Sequence, residues 1–362
     1  MKLYRIGRRD RASAVLWGAT LTALALLGAG PAEAGGTLYF SDIFNPTFSD
    51  GWIRSVSTDG TGLQTLINTG GGLRGVAVDR SAGKLYWTNV DSDKIRRANL
   101  DGSNPEDLVT DGLAFPIAIA LRPPADRLYW GDQTLDQIGS AELDGSNAGP
   151  LLSTPFHSGL AVDPVNGKLY WSTSITAIEG EILRANLDGT NVETVVTGAS
   201  KPSRIALHVA AGKIYWTDFV LDVVRRADLD GSNIEDLYVV GANLNPGGIA
   251  LDLAEGKIYW GQAVSTSPHV GKIMRMNLNG TSPEDVITGN FGLIGDIAFV
   301  PYCPGDVDGD GDTDLSDLGA LLAAYGTSVG HPRYNPNADF DNDGDIDLSD
   351  LATLLADYGC GT

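Results

Sequence analysis

The sequence predicts a mainly β chain: a six-bladed β-propeller of four-stranded blades over residues 35–302, then a small all-α calcium-binding unit over residues 303–362. Three observations carry this prediction. One aromatic phrase recurs six times, with its tyrosines spaced by 41 to 47 residues. Every recurrence is followed by a turn of the Asp-Gly type, the strongest short-range hairpin signal. The last sixty residues hold two matched Asp-rich loops with glycine in register, a pattern of hard oxygen donors.

Composition bounds the reading. Among 362 residues there are 46 acidic and 25 basic side chains, a formal charge of −21. A phosphate backbone is bound by clustered Lys and Arg, so a nucleic-acid partner is excluded. With 43% hydrophobic and 20% charged residues, the chain is neither disordered nor a membrane bundle. The charge is unevenly placed: residues 303–362 carry 13 Asp and one Arg.

Residues 1–34 read as an export signal. Lys2, Arg5, Arg8, Arg9 and Arg11 form a basic start, Ala14 to Gly28 is apolar, and Ala32-Glu33-Ala34 suits cleavage. The apolar run is short for a membrane span. The expectation is an exported protein, extracellular, periplasmic or at the cell surface, with no membrane span once the signal is cleaved.

The repeat fills residues 35–302. Its phrases are Leu38-Tyr39-Phe40-Ser41-Asp42, Leu85-Tyr86-Trp87-Thr88-Asn89, Leu128-Tyr129-Trp130-Gly131-Asp132, Leu169-Tyr170-Trp171-Ser172-Thr173, Ile214-Tyr215-Trp216-Thr217-Asp218 and Ile258-Tyr259-Trp260-Gly261-Gln262. The period suits propeller blades or helical solenoids. No period holds a helical apolar stripe, and short β-branched and aromatic runs alternate, so strands are expected. Each blade begins with a small apolar inner strand such as Gly75 to Asp79 and continues through the Tyr-Trp strand. A third strand such as Lys94 to Leu100 and a fourth such as Glu106 to Val109 complete it. The first Tyr-Trp strand has no inner strand before it, and a surplus one, Asp296 to Val300, follows the sixth. Pairing the two closes the ring and removes its open edge.

At these residues the chain resembles the YWTD β-propeller of the low-density lipoprotein receptor family, over 37–300. Tyr215-Trp216-Thr217-Asp218 matches that motif in full; the other five depart from it, mostly at its third or fourth place. The resemblance implies a rigid, noncatalytic platform for protein recognition, without the receptor's partner modules.

In the tail, Asp306, Asp308, Asp310, Asp314 and Asp317 occupy positions 1, 3, 5, 9 and 12 of one loop; Asp339, Asp341, Asp343, Asp347 and Asp350 repeat them 33 residues later. Glycine stands at position 6 of each, and Asp312 and Asp345 at position 7 are placed to offer backbone carbonyls. Two Ca²⁺ ions are expected, because converging carboxylates with a sharp glycine turn suit that cation. One apolar helix follows each loop. Loop plus single helix, duplicated, resembles the type I dockerin over 305–359. That resemblance implies that positions 10 and 11, Leu315-Ser316 and Leu348-Ser349, help read a cohesin-like partner, in either of two orientations. An apolar Leu at position 10 reads equally well as core.

Cys303 and Cys360, the only cysteines, bracket this unit, and an exported protein can oxidise them; a disulfide is expected. Two catalytic-looking matches carry no weight. Gly70-x-Gly72-x-x-Gly75 leads into a strand rather than from a strand into a helix, and the Gly326–Gly330 match to a nucleophile elbow has no strand before it. The four histidines, His157, His208, His269 and His331, show no zinc spacing, and no catalytic residue is assigned.

The face where loops enter the inner strands is the candidate ligand face, with Arg74, Phe115, His157, Arg204 and Asn245. A cation, an aromatic and an amide beside a central channel suit an acidic or amide-bearing group of a protein or glycan. The leading functional expectation is an exported interaction protein whose platform is anchored through the calcium unit to a cohesin-like or cell-surface protein. The alternative, an extracellular propeller enzyme (lactonase, lyase or polysaccharide-degrading hydrolase), needs a carboxylate and amide cluster around a metal at the propeller axis. A third possibility is a structural surface component.

Overall fold

The computed structural model describes residues 35–43, 51–122, 126–156, 158–174, 176, 178–241, 244–263, 270–289, 291–308 and 312–360. The expected export signal, His157, His269 and Asp310 lie outside them. Twenty-four strands form six four-stranded antiparallel sheets arranged as a propeller. Blade 1 contains β1 (Gly36–Ile43), β2 (Gly51–Ser57) and β3 (Gln64–Asn68); blade 2 contains β4 (Leu73–Asp79), β5 (Lys84–Asn89), β6 (Lys94–Asn99) and β7 (Glu106–Val109). Blade 3 is β8 (Pro116–Arg122), β9 (Arg127–Asp132), β10 (Gln137–Glu142) and β11 (Gly149–Ser153). Blade 4 is β12 (Leu160–Asp163), β13 (Lys168–Ser174), β14 (Gly180–Asn186) and β15 (Glu193–Ala199). Blade 5 is β16 (Pro202–His208), β17 (Lys213–Asp218), β18 (Val223–Asp228) and β19 (Glu235–Val239). Blade 6 is β20 (Pro246–Asp252), β21 (Lys257–Ala263), β22 (Gly271–Asn277) and β23 (Glu284–Gly289). The last strand, β24 (Leu293–Pro301), becomes the inner strand of blade 1 by pairing antiparallel with β1, from Gly36↔Pro301 to Ile43↔Leu293. The ring closes as the surplus inner strand requires.

The recurring phrase divides its work by position. The Leu or Ile and the Trp pack toward the preceding blade, while the Tyr packs toward the next. Tyr86 of blade 2 shares a buried cluster with Leu128 and Trp130 of blade 3, and Tyr215 of blade 5 shares one with Ile258 and Trp260 of blade 6. These tyrosines and tryptophans are fully buried, and their burial is the main attraction between blades. The third position ties inner strands together. Thr217 Oγ1 accepts from Arg204 N and donates to Gly247 O of the next blade at 2.8 Å. Ser172 does the same between blades 4 and 5. Where the third residue is Gly131 or Gly261, a side chain would collide with Phe156 or Ile294. The fourth position ties loops: Asp132 accepts from Ala114 N at 2.7 Å and from Leu135 N at 2.9 Å, and Asp218 likewise spans Ser200, Lys201, Val220 and Leu221.

The six Asp-Gly-type turns connect the third and fourth strands. Their glycines have φ between +81° and +86°, a left-handed conformation that glycine adopts without cost. Four blades add a clasp that the phrase does not contain. Arg97, Arg184, Arg226 and Arg275 each pair with a Glu on the neighbouring outer strand (Glu106, Glu193, Glu235 and Glu284). Each also donates to a carbonyl of the next blade, Leu143, Leu229, Leu278 or Thr58, at 2.7 to 3.0 Å. Blades 1 and 3 carry Ser55 and Ser140 opposite Tyr39 and Tyr129 instead.

After β24 come α1 (Leu315–Ala324) and α2 (Leu348–Asp357). Each starts in a reciprocal capping box. Asp314 caps α1 while Asp317 reaches back to its backbone, and Asp347 and Asp350 repeat this for α2. Loop positions 9 and 12 are therefore also the helix-starting residues. The two halves cross-link with the same pattern. Thr313, at position 8 of the first loop, exchanges backbone hydrogen bonds with Gly359 and Cys360 beyond α2; Ile346, at position 8 of the second, does so with Gly326 and Thr327 beyond α1. Val307, Leu321, Ala324, Ala338, Ile346 and Leu354 form the small core between them. Cys303 and Cys360 are joined in a disulfide across 57 residues.

Candidate functional site

Inner strands β4, β8, β16 and β20 each carry a register shift near their start: at Leu73/Val76, Pro116/Ala118, Pro202/Ile205 and Pro246/Ile249. A bulge inserts a residue and redirects side chains, and here it places Arg74 and Arg204 at the channel mouth. The mouth is a cavity of about 340 Å³ whose lining includes Arg74, Phe115, Gln133, Lys201, Arg204 and Phe219.

Arg204 is 5% exposed and bridges blades across the axis. Its Nε donates to Gly295 O at 2.8 Å, Nη2 to Ile117 O at 3.2 Å, and Nη1 to Ser158 O. Nε also stands 3.6 Å from Asp296 Oδ1. Burial pushes the Asp296 carboxyl above the usual carboxylate range, and the Arg204 charge opposes that push. Arg74 has its guanidinium 5.9 Å from the Phe115 ring, and Lys201 Nζ is 6.0 Å from the Phe219 ring. Burial, with the Arg204 charge adding to it, pushes the Arg74 pKa down to about 10. Two arginines and a lysine thus share a partly desolvated mouth with aromatic walls. A second negative charge entering there relieves their repulsion.

Of the five residues expected on this face, the structure brings Arg74, Phe115 and Arg204 to the cavity. Asn245 precedes the lining residue Pro246 without itself lining the cavity, and His157 falls outside the described residues. Sequence reading missed Lys201, Phe219, Gln133 and Asp296. Two signals could have found the first three. Phe115, Lys201 and Asn245 each directly precede a proline that opens an inner strand. Ile43, Gln133 and Phe219 each directly follow the recurring phrase, where the blades differ most.

The acidic loops form a second candidate site. Oxygens of Asp339, Asp341 and Asp350 lie within 4.8 Å of one another, as do those of Asp306, Asp308 and Asp317, and those of Asp312, Asp314 and Asp317. Asp343 and Asp345 extend the second loop, where neighbouring carboxylates, Asp343 first, raise the Asp345 pKa. Asp339 is only 6% exposed. Its Oδ2 accepts from the Tyr334 hydroxyl at 2.5 Å and from Gly344 N at 3.1 Å, while its Oδ1 is buried without a hydrogen-bond partner. A buried carboxylate oxygen left this way is costly, and a hard cation held with Asp341 and Asp350 would satisfy it. The donor set fits such an ion. Leu315 and Leu348 are 69% and 68% exposed, which resolves their double reading in favour of surface. Ser316 and Ser349 stand beside them at the helix starts, Ser349 donating to Asp341 Oδ2 at 2.5 Å.

A family model described as "Low-density lipoprotein receptor repeat class B" matches residues 83–121 and 212–253. Over these two stretches the chain is similar to low-density lipoprotein receptor class B repeats. It is 33% identical over 187 residues to the human "Low-density lipoprotein receptor-related protein 5-like protein", covering 51% of this chain and 57% of that protein. It is 39% identical over 90 residues to "Low-density lipoprotein receptor-related protein 1" of Pyricularia oryzae, covering 23% and 29%. The chain spans 8% to 57% of the length of the curated relatives it matches. Among solved structures, a chain of a nidogen/laminin complex superposes with a TM-score of 0.62 at 20% identity, covering 73% of this chain and 98% of that one. TolB from Acinetobacter baumannii does so with 0.60 at 13% identity, covering 74% and 67%. These two likenesses concern the fold alone.

Proposed function

We propose that this protein is an exported interaction protein whose propeller presents a cationic, aromatic-walled axial mouth to an acidic or amide-bearing group of a protein or glycan partner. One observation carries the reading: Arg74, Lys201 and Arg204 converge on one cavity at the mouth, with Asp296 paired to Arg204. The receptor-related names of the relatives support an interaction role.

The C-terminal unit, residues 303–362, serves in this reading as a dockerin-like attachment module. Asp306, Asp308, Asp310 and Asp317 in one loop, and Asp339, Asp341, Asp343 and Asp350 in the other, would hold two Ca²⁺ ions. The ions supply charge neutralisation that orders both loops. Leu315-Ser316 and Leu348-Ser349 then offer two equivalent exposed contact pairs to a cohesin-like or cell-surface protein.

The test is capture from the native extracellular fraction by the immobilised full chain, its Arg74→Gln/Lys201→Gln variant and its Leu315→Asp/Leu348→Asp variant, each with and without EDTA. A partner lost only with the first variant, irrespective of EDTA, is the expected propeller ligand. One lost with the second variant and with EDTA is the expected anchor. Undiminished capture by both variants refutes the reading. Thermal melting of each variant beside the parent separates lost binding from lost folding.

A further inference from the structure

Arg80, in the turn after β4 of blade 2, is a propeller residue that reaches the C-terminal unit's first acidic loop. Its Nη1 donates to Pro301 O at 2.6 Å and to Cys303 Sγ at 2.9 Å. Its Nη2 lies 3.5 Å from Asp306 Oδ2, with both side chains largely shielded. Asp306 is position 1 of the first loop. The matching residue of the second loop, Asp339, is held differently, by the neutral phenol of Tyr334 from within the unit itself. Two loops with the same spacing of aspartates therefore differ in what faces their leading carboxylate: a fixed positive charge from the propeller in one, a neutral hydroxyl in the other.

We propose that Arg80 makes the first loop the weaker of the two calcium sites and couples its filling to release of the unit from blade 2. The inference rests on the calcium reading above. A guanidinium beside a ligand carboxylate opposes an incoming divalent cation, and at this kind of distance even water-like screening leaves about a tenfold loss of affinity. The coupling is reciprocal: if the Arg80–Asp306 contact weakens cation binding, cation binding weakens the contact by the same factor. The second loop fills first and folds the unit. The first loop fills at higher calcium, drawing Asp306 from Arg80 and loosening the join.

The experiment is calorimetric titration of the full chain with calcium alone as the probe, following far-UV circular dichroism in parallel. Two steps are expected. Asp339→Asn should remove the tighter and Asp306→Asn the weaker. Arg80→Gln should tighten the weaker step about tenfold and leave the tighter unchanged, while Arg80→Lys, which keeps the charge, should leave the weaker step weak. Propeller tryptophan fluorescence verifies that each variant is folded. Two steps unaltered by Arg80→Gln, or a weaker step made weaker still, overturn this inference alone. Absence of any calcium binding by the parent chain overturns it together with the calcium reading.

Discussion

With calcium present, replacing both Cys303 and Cys360 with Ser should cost the C-terminal unit about 4 kcal/mol. The bond closes a loop across 57 residues. The chain-entropy relation for a loop of that length gives about 4 kcal/mol near room temperature. The unit's buried apolar core is six residues, and domains of this size seldom reach more than about 3–5 kcal/mol without a staple or a metal. The bond also fixes a local network: Thr313 N donates to Cys360 O at 2.9 Å, and Gly305 N and Thr313 Oγ1 both donate to Asp357 Oδ2 at 2.7 Å. Urea unfolding of the full chain can resolve the effect. The sequence has no tryptophan after Trp260, so tryptophan fluorescence follows the propeller. Among the described residues the α-helices are α1 and α2, so ellipticity at the helical band follows the unit. With a denaturant dependence of about 1 kcal/mol per molar, the helical midpoint should fall by about 4 M or the helices should be absent from the start, while the fluorescence midpoint stays. A helical midpoint displaced by less than about 0.5 M would refute the argument that the staple holds this unit together.

Two further outcomes are expected. Chelating calcium should melt the helical signal and spare the propeller, since each site held at a hundredfold above its dissociation constant adds about 2.7 kcal/mol; identical spectra in EDTA and millimolar calcium contradict this. Arg226→Ala removes the ion pair to Glu235 and the 2.9 Å bond to Leu278 O in the next blade, and should lower propeller stability by about 1–2 kcal/mol. Thermal melting measures it, and a loss no larger than that of an exposed Lys→Ala control would show that the clasp contributes nothing.

The parts of the fold that repeat were legible because repetition amplifies a weak local signal. The Tyr-Trp strands, the Asp-Gly turns and the ring closure by β24 all stand where the phrase places them. The strand edges moved slightly: β4 starts at Leu73 rather than Gly75, because the bulge at Leu73/Val76 lets two extra residues join the inner strand. The inter-blade clasps escaped notice, although Arg97, Arg184, Arg226 and Arg275 recur at one register position. A cation at a strand surface reads as solvated until the next blade's carbonyl is seen beside it. The cavity was half legible. Arg74 and Arg204 were found as cations near inner strands, whereas Lys201 and Phe219 come from different connections of blade 5 and meet only when the blades are assembled. Asp296 opens the expected last inner strand, and its approach to Arg204, 92 positions earlier in the chain, has no sequence signature. In the tail, the alternation of aspartates was clear, but the exposure of Leu315 and Leu348 was not, because one apolar residue at a helix start fits either face.

The ring's closing strand leads within two residues into Cys303, and that position is bonded to Cys360. Tension applied beyond Cys360 would therefore bypass both helices and both acidic loops and enter the chain at Cys303. It would next meet β24, whose ladder with β1 runs from Gly36↔Pro301 to Ile43↔Leu293. The strand that completes the propeller is therefore the one through which a load from beyond Cys360 enters the ring.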